Sequence, residues 1–551
     1  MVSYMKKILS YINLKGLKRQ FIGYILFSLL ICIVSIIVPY ITGVYIDNLL
    51  EYRTKSVIYA FSMIVLIVNV LNILGNYFLN LCSAKLNTNL SFNLSNGIYE
   101  HLKRAPLSYF SEVDSAYLVS KVSDDSNTVV SFFLENCVEF FTQIITILIS
   151  VYILCTIDFL LGVIIIFVIP LYILIYKYYR KKVFQANYEF KESQNFFFSK
   201  MTEQFSMIKY LKLQSLFGFF SRRLVKAFDS LYDKLIINVK VNYLFNNLNM
   251  IITLIINIVI IAYSGYKIIS GNMSIGAFTM LNSYFSYLVV AATYYMGVGS
   301  TYQQALASVH RLEEVKNIRE ENNGKIRIKC IDSIVLNNVT FSYCTKEPLF
   351  KDITLELKKG LIYCIRGGNG TGKSSFINLI VGMNQDEYTG EILYNGIRLE
   401  NLDMYYLRKE KIAICEQEPQ LFNSSIKENI LLGAELKEDV DVLDYWCEEL
   451  QFEEKIHNLE ETYDTIVSEG AKNLSGGEKQ KISIIRSLIK KADLLIFDEA
   501  TSALDSQSIN LFLKIIERLK ENKIIVVITH KSELINKADC VIDIEKYKEK
   551  I

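Results

Sequence analysis

Proline is scarce, with 5 in 551 residues, and no charge of either sign dominates. The 59 basic and 57 acidic side chains leave a net charge of +2, which argues against a nucleic-acid binder that works by bulk positive charge. The ten cysteines form no CxxC pair, and no His/Cys cluster has zinc-ligand spacing. They read as reduced, buried thiols in a chain facing a reducing compartment. Cleavable signal features are missing too: the first apolar run is too long for an h-region and continues without a small-residue cleavage site, so it reads as an anchor. With 51% hydrophobic and 21% charged residues, disorder is excluded as well.

What the chain does have is long uncharged stretches, nearly all before about residue 310. No charge occurs from Phe21 to Ile46 or from Ser56 to Ala84. Phe140–Ile157 and Phe159–Tyr176 are separated only by Asp158, and Val241–Tyr266 and Ile268–Val309 complete the set. About 20 apolar residues cross a hydrocarbon core of about 30 Å, so six spans are predicted, near 21–46, 56–84, 133–157, 159–178, 241–268 and 275–299. Lys6, Lys7, Lys15, Lys18 and Arg19 precede the first span, and Lys177, Arg180, Lys181 and Lys182 follow the fourth. The positive-inside rule then places both termini in the cytoplasm, in a multi-pass protein of the cell membrane.

The two inner connections, about 55 and 65 residues long, lack Pro/Gly punctuation for most of their length. They read as helices reaching roughly 40 Å beyond the bilayer. Short tips are expected at Ala105–Glu112, broken by Pro106, and at Lys209–Phe219, broken by Gly218. Within the spans, Asn69, Asn72, Asn76 and Asn80 share a stripe, as do Asn242, Asn246, Asn249 and Asn257, while Asn282, Ser286 and Thr293 share a face near Tyr287 and Tyr294. Amides facing lipid are costly, so these faces either bond to neighbouring helices or line an aqueous cavity.

After about Arg319 the composition changes. A polar linker, taken as 319–332, separates a membrane domain over 1–318 from a domain over 333–551 in which β-rich runs alternate with helical ones. The apolar run Leu361–Arg366 leads into Gly367-Gly368-Asn369-Gly370-Thr371-Gly372-Lys373-Ser374 and a helix predicted to start near Ser375. This strand–loop–helix context is that of a phosphate loop: glycines let backbone N–H groups curl around phosphate oxygens at a helix N-terminus. Lys373 would neutralise the β- and γ-phosphates of ATP, and Ser374 would ligate Mg²⁺. Further on, Leu494-Leu495-Ile496-Phe497 ends in Asp498 and Glu499. Asp498 is suited to hold the metal through its water shell, and Glu499 to polarise the attacking water.

Between them lies Leu474-Ser475-Gly476-Gly477-Glu478-Lys479-Gln480, and here the sequence resembles the ABC ATPases. The resemblance implies that Tyr343 stacks on adenine, that Gln417 senses γ-phosphate and Mg²⁺, and that His530 is the switch histidine on the γ-phosphate. It implies that Ser475, Gly476, Gly477 and Glu478 face a second nucleotide site, and that Ser502-Ala503-Leu504-Asp505 is the loop after the catalytic carboxylate. Glu469 resembles an exporter-type element that contacts the membrane half. Cys344, Ser375 and Glu478 depart from the commonest family letters without removing a required functional group.

Six spans fused ahead of such an ATPase resemble an ABC exporter half-transporter: a membrane α-helical bundle plus an α/β P-loop NTPase domain with its helical subdomain. The family arrangement implies a head-to-tail dimer, most simply a homodimer, with a heterodimer open. Both loop tips would be coupling helices seated on the nucleotide domains. The amide- and tyrosine-rich faces suit a peptide cargo, with multidrug or lipid export as the alternative. A non-pumping channel or sensor subunit is the reading from another class, against which the intact Glu499 and His530 speak. Residues before Phe21 are expected to be too few for a leader-cleaving protease domain.

Overall fold

The computed structural model describes residues 11–12, 14–52, 54–112, 115–343, 347–432 and 440–547. Lys6, Lys7 and Cys344 lie outside them, and the side chains of Asn249 and Glu469 are likewise not described. The chain forms two compact units, one of Met1–Lys103 with Ser115–Ile318, the other of Arg104–Asp114 with Arg319–Ile551.

The first unit is helical. Its elements are α1 (Lys18–Tyr52), α2 (Lys55–Leu102), α4 (Ser115–Ile157), α5 (Phe159–Ser206), α6 (Ile208–Leu213), α7 (Phe217–Ile269) and α8 (Ile275–Lys316); α3 (Leu107–Glu112) belongs with the second unit. Among the described residues, five helices are long and apolar enough to cross a membrane, with mean hydropathy up to 2.9 in α1. The fourth expected span falls on the start of α5, where several side chains are not described. No residue in the most apolar window of α2 is buried against protein, so its contact surface suits lipid rather than water.

One residue suffices to turn the chain between α4 and α5. Asp158 adopts extended φ/ψ and its carboxylate accepts from the Leu160 and Leu161 N–H groups, capping α5. Asp47, at the end of α1, accepts from Ser274 Oγ (2.7 Å) and Gly276 N–H (2.8 Å), tying α1 to the start of α8. Gly43 and Gly276 face each other there so closely that a Cβ on either would meet the other's carbonyl oxygen. Toward the other end of the same bundle, buried Asp125 of α4 holds Arg311 and Ser308 of α8.

The asparagine stripes divide into two kinds. On α2, Asn69 and Asn76 donate to the carbonyls four residues back, Val65 and Asn72. On α7, Asn242 and Asn238 reach across to Asn187 of α5, at 3.4 and 2.6 Å. Asn282 donates to Phe278 O, whereas Tyr287 bonds to Ser35 O and Tyr294 to Asn136 Oδ1. The second tip breaks at Ser215, whose φ of +52° ends α6, and not at Gly218, which lies inside the first turn of α7. Among the described residues three cysteines are buried and five half-buried, but Cys540 is exposed, so the expectation of buried thiols throughout is corrected.

The second unit is α/β. Strands β1 (Ser333–Phe341), β2 (Phe350–Lys358), β4 (Tyr388–Tyr394) and β5 (Ile397–Arg398) make an antiparallel sheet in the order β2-β1-β4-β5. Strands β3 (Ile362–Arg366), β6 (Ile412–Cys415), β7 (Leu494–Asp498), β8 (Ile524–Ile528) and β9 (Cys540–Asp543) make a parallel sheet in the order β6-β7-β8-β3-β9. Helices α9 (Lys373–Ile380), α10 (Met404–Glu410), α11 (Ile426–Leu431), α12 (Val440–Glu449), α13 (Glu453–His457), α14 (Gly476–Ile489), α15 (Ser506–Leu519) and α16 (Ser532–Lys537) complete it. Side-chain alternation feeds a core on each face of the parallel sheet. Leu494, Ile496, Ile524 and Val526 pack with α9 and the antiparallel sheet, while Leu495, Phe497, Ile525 and Val527 pack with α14 and α15. Both faces are covered, so the strands read as unbroken apolar runs.

The tip carrying α3 rests on this second unit. Glu321 N–H donates to Arg104 O (2.7 Å), and Pro106 and Ser108 border a small cleft with Gly382, Met383, Asn384 and Asp386.

Candidate active site

Strand β3 ends at Arg366, and α9 starts at Lys373, two residues before the expected Ser375. Gly372 caps α9 with φ +95°, and a Cβ there would lie 2.6 Å from Phe350 and 2.7 Å from Leu349. Only glycine fits both the backbone and the space. Inside the loop Gly370 also has φ +73°, Thr371 Oγ1 donates to Gly368 O (2.8 Å), and Lys373 Nζ donates to Gly367 O (2.8 Å). These bonds fold the loop on itself and keep the amides of 370–375 at a helix N-terminus, a cradle for phosphate. Asn369 lies on this loop, between the glycines.

The ends of neighbouring parallel strands converge on Glu499. It follows β7 with φ +46°, held there by an N–H bond to Ile528 O (3.0 Å) at the end of β8. A non-glycine residue in that region is strained, and the strain fixes where the carboxylate sits. Gln417, two residues past β6, donates its amide to Glu499 Oε2 (2.9 Å). Lys373 Nζ lies 3.8 Å and His530 Nε2 3.7 Å from Glu499 Oε1. Lys373 and His530 touch at 2.7 Å. With the ammonium donating, His530 accepts at Nε2 and carries its proton on Nδ1.

Beside this group, Ser374 Oγ donates to Asp498 Oδ2 (3.3 Å). Burial raises the Asp498 pKa from its ordinary value, and Glu499 adds to the rise against the lowering effects of Ser374 and Lys373. A desolvated carboxylate bonded to a hydroxyl is a pair of hard oxygen donors, and the Gln417 side chain, bonded to the adjacent Glu499, carries a third. This set fits Mg²⁺, whose charge would relieve that desolvation. Tyr343 packs edge-on to Phe341 (4.9 Å) and its OH donates to Ser375 Oγ (2.8 Å), which sets the aromatic ring beside the loop.

The Ser475 region is held by other partners. Ser475 caps α14, with Ser475 Oγ accepting from Glu478 N–H (3.3 Å) and Glu478 accepting from Ser475 N–H (2.9 Å). Glu478, where the family commonly has glutamine, thus closes a capping box, and its pKa lies below the usual value; burial opposes that shift, and the Ser475 N–H and Lys455 produce it. A Cβ on Gly477 would stand 2.9 Å from Ala503 O, so the glycine lets residues 502–505 lie against the helix start. Asp505 caps α15 through Ser508 N–H (2.7 Å), a bond that lowers its pKa. Motif spacing missed three supporting residues. Gln480 latches that loop through Ser502 Oγ (2.6 Å) and Ala503 N–H (2.8 Å). Arg486 clamps the Gln417 loop through Gln420 O and Asn429 O. Glu545 accepts from Gly368 N–H (2.7 Å). Gln480 stands within the quoted motif and could have been found; Arg486 and Glu545 carry no sequence signal of their own.

Comparison with known proteins agrees with this architecture. Residues 21–292 match the family described as ABC transporter transmembrane region, and residues 350–502 the family described as ABC transporter. The chain is 26% identical over 481 residues to an ATP-dependent lipid A-core flippase of Syntrophus aciditrophicus, covering 86% of this chain and 78% of that one. It is 25% identical over 509 residues to the lactococcin-G-processing and transport ATP-binding protein LagD of Lactococcus lactis, covering 92% and 72%. In fold it is similar to a bacterial Atm1-family ABC exporter solved with ATP bound, with a TM-score of 0.84 at 20% identity, covering 96% and 94% of the two chains.

Proposed function

Because the chain belongs to the ABC transporter superfamily, as an exporter-type half-transporter with a membrane region and an ATPase domain in one polypeptide, we propose that two copies of it export a peptide at the expense of ATP. ATP hydrolysis coupled to transport follows from the family. The homodimer, the peptide cargo, cytoplasmic termini and the roles of individual residues are our reading. The observation that carries the residue roles is the convergence of Gln417, Lys373 and His530 on the Glu499 carboxylate.

In this reading the phosphate loop and Lys373 bind the β- and γ-phosphates of ATP, and Tyr343 faces adenine. Gln417 and Glu499 orient a water. As its oxygen bonds to the γ-phosphorus and the β–γ bridging bond breaks, Glu499 takes the water's proton. His530 supports the γ-phosphate oxygens, and Ser475–Gly477 of the other copy close the site from the far side. Mg²⁺, held by Ser374, Asp498 and Gln417, would neutralise phosphate charge. Peptide cargo is supported by the amide- and tyrosine-rich helices and by the LagD relative, whose name includes lactococcin-G processing and transport. Purified protein in lipid nanodiscs should release phosphate from ATP, and vesicles should accumulate a labelled peptide only when ATP is present. ATP turnover with no peptide accumulation across a varied peptide set would remove the cargo reading.

A further inference from the structure

One cavity in the helical unit lies outside the ATPase chemistry. It measures about 480 Å³, within the range that accepts a drug-sized molecule or a few residues of a peptide, and α5, α7 and α8 surround it. Residues 176, 180, 183, 184 and 187 recur at three- and four-residue spacing, so one face of α5 forms a wall. That wall carries a basic pair, Arg180 with Lys181, one to two turns from the polar Asn187. Phe245 of α7 and Met296 of α8 add apolar surface to the lining, and Asn246 adds an amide. Among the described residues, no acidic side chain borders the cavity. Glu189, two residues beyond Asn187, is engaged by Lys234 (2.7 Å) and Gln185 (2.9 Å). Lys182, the next basic residue, packs instead over the rings of Tyr178 and Tyr179.

Arg180 and Lys181 therefore face a partly apolar hollow with hydrogen-bonding amides and no counter-charge from its described walls. Such a site favours an amphipathic molecule carrying an oxyanion. We propose that this cavity is where cargo is first held, and that it selects an amphipathic peptide by its carboxylate, above all a free C-terminus. The carboxylate pairs with Arg180 and Lys181, the apolar body lies along Phe245 and Met296, and Asn246 meets backbone amides. The α5–α7 contact through Asn187, Asn238 and Asn242 keeps the two walls together. This proposal rests on the exporter reading above.

The test uses the full chain in phosphatidylcholine nanodiscs, with a dansylated hydrophobic tetrapeptide as free acid and as C-terminal amide. Binding is read by anisotropy without ATP, and ATPase stimulation relative to each protein's own basal rate. The free acid is expected to bind about tenfold more tightly than the amide. Arg180→Gln with Lys181→Gln should erase that preference, and the charge-conserving Arg180→Lys with Lys181→Arg should keep it. Equal binding of acid and amide by the wild type, or an acid preference surviving the double Gln change, overturns the proposal. Retention of phosphatidylglycerol by the wild type alone, with no acid preference, assigns the cavity to bilayer lipid and also overturns it. Acid-selective binding without any ATPase activity would support the site while refuting the exporter reading.

Discussion

Replacing Glu499 by Gln keeps size and shape and removes the carboxylate placed to accept a proton. Loss of a positioned general base costs about 10²–10⁴-fold, so kcat should fall by that factor, or about 3–5 kcal/mol of transition-state stabilisation. The structure allows this to be separated from damage to the fold. Glu499 has approaches of 3.8 and 3.7 Å to Lys373 and His530 and is 20% exposed, so its ionic contribution to stability is at most about 1 kcal/mol. The substituted side-chain amide can still bond to Gln417, and the backbone at φ +46° is as accessible to Gln as to Glu. ATP should therefore bind at least as tightly, because one negative charge beside the γ-phosphate is gone. Phosphate release measured against retained radiolabelled ATP, with a melting curve as control, reads both effects. Turnover within about tenfold of wild type, at an unchanged melting temperature, would refute the assignment of the base.

Gly372→Ala should abolish the melting-temperature rise produced by Mg·ATP and cost about 1–3 kcal/mol of stability, since it forces a Cβ against Phe350 and Leu349 at φ +95°; an unaltered nucleotide shift would contradict the loop geometry. Arg311→Ala leaves Asp125, 6% exposed, as an uncompensated buried carboxylate and should destabilise the helical unit by about 3 kcal/mol, read by thermal unfolding in detergent, with Asp125→Asn in the same chain restoring part of the loss. Asp403 titrates below the usual value because Asn323 above all bonds to its ionised form; burial opposes the shift, and Arg327 and the Tyr406 N–H add to it. Its stabilisation is present above about pH 4 and disappears as pH falls through the depressed value, so the melting-temperature advantage of wild type over Asp403→Asn should shrink as pH falls below about 4. A constant gap would show that Asp403 acts only by shape.

Much of this was readable from the amino acids because long-range order here follows from local pattern. Uncharged runs become membrane-length helices even where asparagines fall within them, and Asp158 alone is enough to turn one into the next. The gathering around Glu499 was legible because each member ends or follows a strand of one parallel sheet, and β6, β7, β8 and β3 are adjacent. Breaks that depend on backbone conformation were harder. Gly218 carried the turn signal, yet Ser215 makes the turn, since a serine can take φ +52° where the surrounding contacts require it. The asparagine stripes looked alike in sequence but differ in partners: Asn69 and Asn76 on α2 fold back on their own helix, whereas Asn242 bonds both to Asn238 on its own helix and across to Asn187 of α5. Glu545 and Arg486 could not be found by motif, because their partners are backbone groups far away in the chain.

The central claim is that two copies of this chain hold ATP jointly and use its cleavage to move cargo. A cryo-electron microscopy structure of the Glu499→Gln protein with Mg·ATP in nanodiscs tests it most directly. The account predicts a pair of chains with two nucleotides, each touching Lys373 and Tyr343 of one copy and Ser475 and Gly477 of the other. A nucleotide contacted by one chain alone, with the two ATPase units apart, would contradict it.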